Sequence, residues 1–238
     1  MKIIYEDEAI LVLFKEAGLA VQSAGRQQDL ESVLRLRLSE KNIPYQNLHV
    51  IHRLDQPVEG LVLFALTKDA AAHLTRQMTQ GTVEKRYLAL VGPSCEEGKL
   101  LLGKAACGEE ILLENCLLQD RKTNTSRIVP EGTPGEKKAR LSFTATETFG
   151  EADAALLDIR LMTGRHHQIR VQLAGAGVPI IGDKKYGPAA DGSGNERFPL
   201  LCAAGLSFVH PLSGERVHFE LEPEKTGPGR AASALRLE

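Results

Sequence analysis

Apolar and polar positions along the chain mark out strands before anything else. Residues 2–5 and 9–14 are short apolar runs on either side of Glu6-Asp7-Glu8, which predicts two strands around an acidic turn. Leu30, Val33, Leu34 and Leu38 recur near helical spacing, with Arg35, Arg37 and Glu40 polar. With Asp29 as cap, this predicts a helix from Leu30 to about Lys41, and Pro44 follows soon after its end. Residues 60–67 form a continuous apolar run, the pattern of a strand buried on both faces. A second helix is expected from Lys68 to about Thr79, stopping at Gly81. A strand over residues 83–91 then carries Lys85, Arg86 and Tyr87.

Further on, residues 93–135 are punctuated by Gly98, Gly103, Gly108, Gly132 and Gly135, which predicts hairpins. Residues 139–149 and 154–162 read as paired strands. A helix is expected from near Arg165 to about Ala174, ended by Gly175 and Gly177. Residues 200–209 and 215–222 form a last hairpin around Pro211-Leu212-Ser213-Gly214. The tail from Pro223, rich in Gly, Ala, Ser and charge, is expected to be mobile. Strands dominate and helices are scattered between them, so the fold class is α+β, a sheet with helices on its outside. One domain over residues 1–222 and a tail over 223–238 complete the expectation.

Composition narrows the function classes. The chain has 238 residues and a net charge of −2, so binding nucleic acid by bulk charge is excluded and RNA would need a local basic patch. Arg121, Lys122 and Arg127 with Lys137, Lys138 and Arg140 are one such grouping; Lys184 and Lys185 beside Arg165 are another. Either could equally be a solvated face. Cys95, Cys107, Cys116 and Cys202 contain no C-x-x-C pair, so a zinc site is not indicated and free buried thiols in a reducing compartment are expected. Acids interrupt the first residues and no apolar run reaches membrane-spanning length, so a cytoplasmic protein is expected.

Candidate chemistry gathers in two segments. His52-Arg53-Leu54-Asp55 lies on a short connection ahead of the buried strand, where a rigid scaffold can hold catalytic groups. Thr163-Gly164-Arg165-His166-His167-Gln168-Ile169-Arg170 supplies positive charge to set against that one acid. On a helix starting near Arg165, residues 165 and 170 fall on different faces, so one arginine could point inward while the other meets phosphate. Adjacent histidines on such a helix diverge by about 100° and chelate one ion poorly, so no metal is expected at His166-His167. Lys85 and Arg86 point to opposite sides of their strand, and only one can share the Tyr87 face.

Taken in order, His52 to Asp55, Lys85-Arg86-Tyr87, Thr163 to Arg170 and Gly182-Asp183-Lys184-Lys185-Tyr186-Gly187 resemble the motifs of RNA pseudouridine synthases. The similarity is to the RluA branch, which modifies uridines of ribosomal and transfer RNA, and it covers about residues 1–222. That resemblance implies a curved, mixed, mainly antiparallel sheet flanked by helices, with an active cleft along its middle. It implies that Asp55 is the catalytic carboxylate, Arg170 its counter-ion, Tyr87 a neighbour of the target base, and Arg53 the residue that fills the space left by a flipped uridine. Arg165, Lys85 and Ile169 would contact substrate. His52 could touch RNA or hold the loop. No cofactor is implied, since one glycosidic bond is exchanged for another without redox change. RNA would be the partner of a monomer with no obligate protein partner, and the small N-terminal RNA-binding domain common in the branch is not expected.

Departures from the family pattern stand at Gln56-Pro57-Val58-Glu59-Gly60, where Glu59 adds a second acid near Asp55, and at Gln172, where a histidine is common. Glu59 keeps open an alternative, an RNA-binding or assembly factor of the same fold with little or no turnover. A hydrolase using Asp55 and His52 would need a second carboxylate or an activated nucleophile, and the motif segments offer neither.

Overall fold

A computed structural model describes residues 2–23, 29–40, 48–150, 153–187 and 197–235. It divides into two compact units: residues 1–84 with 203–220, and residues 85–202 with 221–238. The division depends on a late hairpin returning to the first unit, a non-local pairing with no signature in local patterning. The architecture is α+β, with antiparallel pairing predominant and helices outside the strands.

The first unit holds β1 (Lys2–Glu6), β2 (Ile10–Lys15), α1 (Leu30–Glu40), β3 (His49–Val50), β4 (Glu59–Ala65), α2 (Lys68–Gln80) and most of β10 (Leu201–Val209) with β11 (Arg216–Glu220). Its strands run in the order β1-β2-β4-β10, with β3 against β4 and β11 against β10. Asp29 caps α1 by accepting the Ser32 N–H at 2.8 Å, and Leu30, Leu34 and Leu38 are its buried stripe. The expected end of that helix, Lys41 and Pro44, lies outside the described residues. Thr67 caps α2 by accepting the Ala70 N–H, and Gly81 ends it in the left-handed conformation at φ 71°. Six of the seven β4 residues are buried, as the apolar run predicts. At Gly60, φ is +131° and a Cβ would overlap the backbone of Ala203, so only glycine lets β4 start beside β10.

The second unit holds nearly all of β5 (Glu84–Val91), then α3 (Glu96–Ala106), β6 (Ile111–Asp120), β7 (Thr125–Val129), β8 (Lys137–Phe149), β9 (Ala154–Leu161), α4 (Gln168–Gly175) and α5 (Gly227–Leu235). Strand order is β5-β9-β8-β6-β7. The β8–β9 pair matches the expected strands, with one register shift between Ala145 and Glu147. Residues 96–106 are helical where hairpins are expected. Gly98 is there for close packing, since a Cβ on it would overlap the carbonyl of Gly177 in the turn after α4. Leu117, Ala139 and Val171 form a small buried cluster joining β6, β8 and α4, and Tyr186 packs on it. A 3-10 turn at Pro223–Lys225 leads into α5, which buries Pro228, Gly229 and Ala232.

Candidate active site

In the first unit, residues 51–58 connect β3 to β4, and the hydrogen-bonding needs of this connection fix its shape. The Ile51 N–H donates to the Leu63 carbonyl, and the Val58 N–H closes a turn on the Asp55 carbonyl at 3.0 Å. His52 Nε2 accepts the Leu63 N–H at 3.2 Å, so this histidine ties the loop to β4. Leu54 is buried as an anchor, Arg53 beside it is exposed, and Asp55 is half-buried.

Beneath this loop sits a residue the sequence reading passed over. Lys15, the last residue of β2, is wholly buried. Its ammonium donates to the carbonyls of Glu16 at 3.1 Å, Leu19 at 2.8 Å and Gln56 at 3.1 Å, using all three N–H donors. Gln56 follows Asp55 directly, and its side-chain amide donates back to the Gly18 carbonyl at 3.0 Å. Burial pulls the Lys15 pKa down to about 8, opposed by the attraction of Asp55 and Glu59. Glu59 therefore faces the same buried cation as Asp55, and its charge is partly answered from below. The only signal in the sequence was a lysine closing an apolar run.

The second unit carries the remaining candidates. Tyr87 is buried on β5 opposite Ile159. Arg86, on the other side of that strand, donates from Nε to both Asp158 carboxylate oxygens, at 2.8 and 2.9 Å. Lys85 shares the Tyr87 side, and its ammonium is lowered first by burial and then by the like charge of Arg165.

The Thr163–Arg170 segment differs from expectation. Helix α4 begins at Gln168, not near Arg165, because His167 adopts the left-handed conformation at φ 53°. Gln168 organises the preceding turn: its Oε1 accepts the Thr163 hydroxyl at 2.8 Å and the Arg165 N–H at 3.0 Å, while its Nε2 donates to the Arg140 carbonyl. Arg165 thus projects from a turn, and its Nε donates to the Lys138 carbonyl at 2.9 Å. Lying ahead of α4, Arg165 has no helix face, and its direction is set by the turn. Nor does helix geometry separate the histidines, whose rings stack with centroids 3.7 Å apart. Their nitrogens are engaged: His166 lies between Ser126 Oγ and Asn124 Oδ1, and His167 Nδ1 meets the Tyr186 hydroxyl at 2.8 Å. Among the described residues no group of His, Cys, Asp or Glu could hold a metal ion.

Ile169 and Arg170 are both buried on α4. Arg170 forms a two-pronged pair with Asp183, Nε and Nη2 each 2.7 Å from a carboxylate oxygen, and its guanidinium lies 5.2 Å from the Tyr186 ring centre. Asp183 also accepts the Lys185 and Tyr186 N–H groups. Burial would raise this carboxyl; the Arg170 guanidinium and the backbone donors outweigh it and hold the pKa below the ordinary aspartate range. The Gly182–Gly187 motif thus gains a function the sequence did not show, presenting one carboxylate and one tyrosine to the arginine. Gln172, the other departure, is buried and donates to Asn115 Oδ1 at 2.7 Å.

Of the cysteines, Cys202 alone is buried; Cys95 and Cys107 are exposed, against expectation, since α3 turns its ends to solvent. No helix among the described residues is long and apolar enough to cross a membrane.

Comparison with known proteins gives these features a context. Residues 9–175 match the family described as RNA pseudouridylate synthase. A ribosomal large subunit pseudouridine synthase C of Vibrio cholerae is 32% identical over 226 residues, covering 92% of this chain and 65% of its own length. The Escherichia coli K12 protein of the same name is 33% identical over 242 residues, covering 98% and 70%. The chain therefore spans about two thirds of the length of these relatives. The solved structure of human RNA pseudouridylate synthase domain containing 1 superposes with a TM-score of 0.71 at 22% identity, covering all of this chain and 95% of that one, a likeness of fold. The matched span includes both the Asp55 loop and the Arg170 helix, and the chain belongs to the RNA pseudouridylate synthase family.

Proposed function

We propose that this chain isomerises uridine to pseudouridine at defined positions in structured RNA, with ribosomal RNA as the first candidate and transfer RNA as the second. The reaction breaks the N1–C1′ bond, turns the base and joins C5 to C1′; the C5 hydrogen leaves as a proton and N1 takes up a proton, so substrate and product are isomers. Nothing is oxidised or reduced, so no cofactor is required. Asp55 is the carboxylate, acting by attack at C1′ or C6 or by removing the C2′ proton. Arg170 steadies its charge, Tyr87 lies against the base, and Arg53 takes the place of the flipped uridine. Arg165, Lys85 and Ile169 line the substrate path, and His52 holds the Asp55 loop. On this reading the protein works in the cytoplasm as a monomer, with RNA as its macromolecular partner.

The observation that carries this reading is the loop bearing Asp55: a family motif whose Gln56 carbonyl is held by the buried Lys15 ammonium, with Asp55 near enough to attract that charge. Lys15 adds a favourable positive potential for an ionised carboxylate. The test is a pseudouridine map of total RNA from cells with and without the gene, by carbodiimide labelling and reverse transcription. Loss of a stop that wild type restores and Asp55→Asn does not would establish the reaction and name the uridine. No change at any position in ribosomal or transfer RNA would favour the RNA-binding factor instead.

A further inference from the structure

A recess of about 310 Å³ opens in the second unit between the β6–β7 hairpin and the turn before α4. Arg121, Lys137 and Arg165 line it, with Ser126, His166 and Gln119 as polar neighbours, and no carboxylate is among its lining residues. Two nearby cations are already matched: Lys138 pairs with Glu131 at 2.6 Å and Arg140 with Glu114 at 2.5 Å. Among the described residues, Arg121, Lys137 and Arg165 have no such acid within ion-pair distance. Three cations from three separate elements therefore converge on one space without compensation, in a chain whose net charge is −2. Such an arrangement repels itself until an anion occupies it.

The walls are held in place. Arg165 is fixed through Nε on the Lys138 carbonyl and through its own N–H on Gln168. The His166 ring is held between Ser126 and Asn124, and Lys185 fastens the hairpin by donating to the Asn124 carbonyl at 2.7 Å. The hairpin turn that carries Arg121 is closed by Asp120, which accepts the Lys122 N–H at 2.8 Å. The Lys85 ammonium, beside Gly164, already feels the like charge of Arg165.

We propose that this recess binds a phosphodiester of the RNA strand adjoining the target uridine, with Arg121 and Lys137 as its phosphate ligands. The proposal rests on the reading of the chain as an enzyme acting on RNA and extends it to a second nucleotide position. Arg165 forms the link, because it belongs both to the recess and to the motif that carries Arg170. The size suits a single nucleotide unit, at the lower end of ligand pockets of about 300–1,000 Å³. Gln119 lines the recess and brings an amide suited to a ribose hydroxyl, the feature that distinguishes RNA from DNA.

The test uses the full chain with Arg121→Gln and Lys137→Gln, singly and together. Both side chains are exposed, so the fold is not at stake. Affinity for a transcript that wild type modifies is measured across a salt series, alongside the single-turnover rate at saturating RNA. The double variant is expected to bind about tenfold more weakly at physiological salt, with the salt slope reduced by about one to two, roughly 0.7–0.9 for each lost phosphate contact. The saturated rate should stay within about twofold, since neither residue touches the reacting base. Arg121→Lys with Lys137→Arg should restore most of the slope. Unchanged affinity and slope would overturn the proposal while leaving the enzymatic reading intact. So would saturation by inorganic phosphate that the double variant abolishes with RNA affinity unchanged, which would mark a site for free anions. If wild type modifies no transcript, the enzymatic reading fails, and loss of RNA affinity in the double variant would still support the recess.

Discussion

Replacing Asp183 by asparagine would strip the charge from the carboxylate that grips Arg170 while keeping its size. Arg170 is 5% exposed and Asp183 1% by side chain, so solvent cannot make good the loss. In the variant one oxygen still faces the guanidinium, and the other position becomes an NH2 pointing at an N–H donor. Breaking a buried pair from one side costs about 3–5 kcal/mol, reduced here because the retained oxygen can still accept one bond. A loss of about 2–4 kcal/mol is expected, which for a chain of this size lowers Tm by roughly 4–16 °C. The pH dependence gives a second readout. The Asp183 pKa is held below its ordinary range, so its contribution is present above the unfolded-state pKa of about 3.9 and disappears as pH falls through the lower folded value. Thermal unfolding by circular dichroism at pH 7 and across the acid range measures both. A Tm change under about 2 °C at pH 7, or a gap that does not narrow on acidification, would refute the reasoning.

Two other predictions rest on single groups. Lys15→Met keeps volume but releases the carbonyls of Glu16, Leu19 and Gln56, so turnover should fall at least about tenfold, one unmade positioning contact's worth. In wild type the Lys15 charge is penalised by folding, a cost on the order of 3 kcal/mol that is fully present below pH about 8 and relieved as pH rises toward the unfolded value of 10.5. Stability should therefore gain from this group above pH 8 while activity falls as the third N–H donor is lost; activity that is flat from pH 7 to 10 would contradict the clamp. Tyr186→Phe keeps the ring beside Arg170 but leaves the Ser126 N–H without its 2.7 Å acceptor, for a loss of about 1–3 kcal/mol in urea unfolding. A midpoint equal to wild type would show that the hydroxyl is not part of the fold.

Local chemistry was legible in the sequence wherever a local rule decided the structure. The Asp29 cap, the left-handed stop at Gly81 and the buried run of β4 follow from side chains acting on their own neighbours. The Asp55 loop was legible for the same reason, since polar residues interrupt an apolar context. What escaped was decided by distant partners. Helix α3 was hidden by Gly98, present because Gly177 packs against it, although Glu96 and Glu97 at its start and Lys104 in its last turn were the signal available. The start of α4 shifted because Gln168 bonds the turn ahead of it and His167 takes a left-handed conformation. Asp183 was visible as part of a motif, but nothing in its spacing revealed Arg170 as its partner 13 residues away. Lys15 reads as the end of a strand; only the three carbonyls that meet it show that it holds the Asp55 loop.

If Asp55 carries out uridine isomerisation, each turnover frees the C5 hydrogen of its target uridine, and that release can be counted. Purified protein is incubated with a ribosomal RNA transcript labelled with tritium at C5 of uridine, and tritium entering water is counted. Wild type is expected to release up to one equivalent per target site, and Asp55→Asn that retains wild-type Tm and RNA affinity is expected to release none above background. Equal release by the two proteins would contradict that role of Asp55.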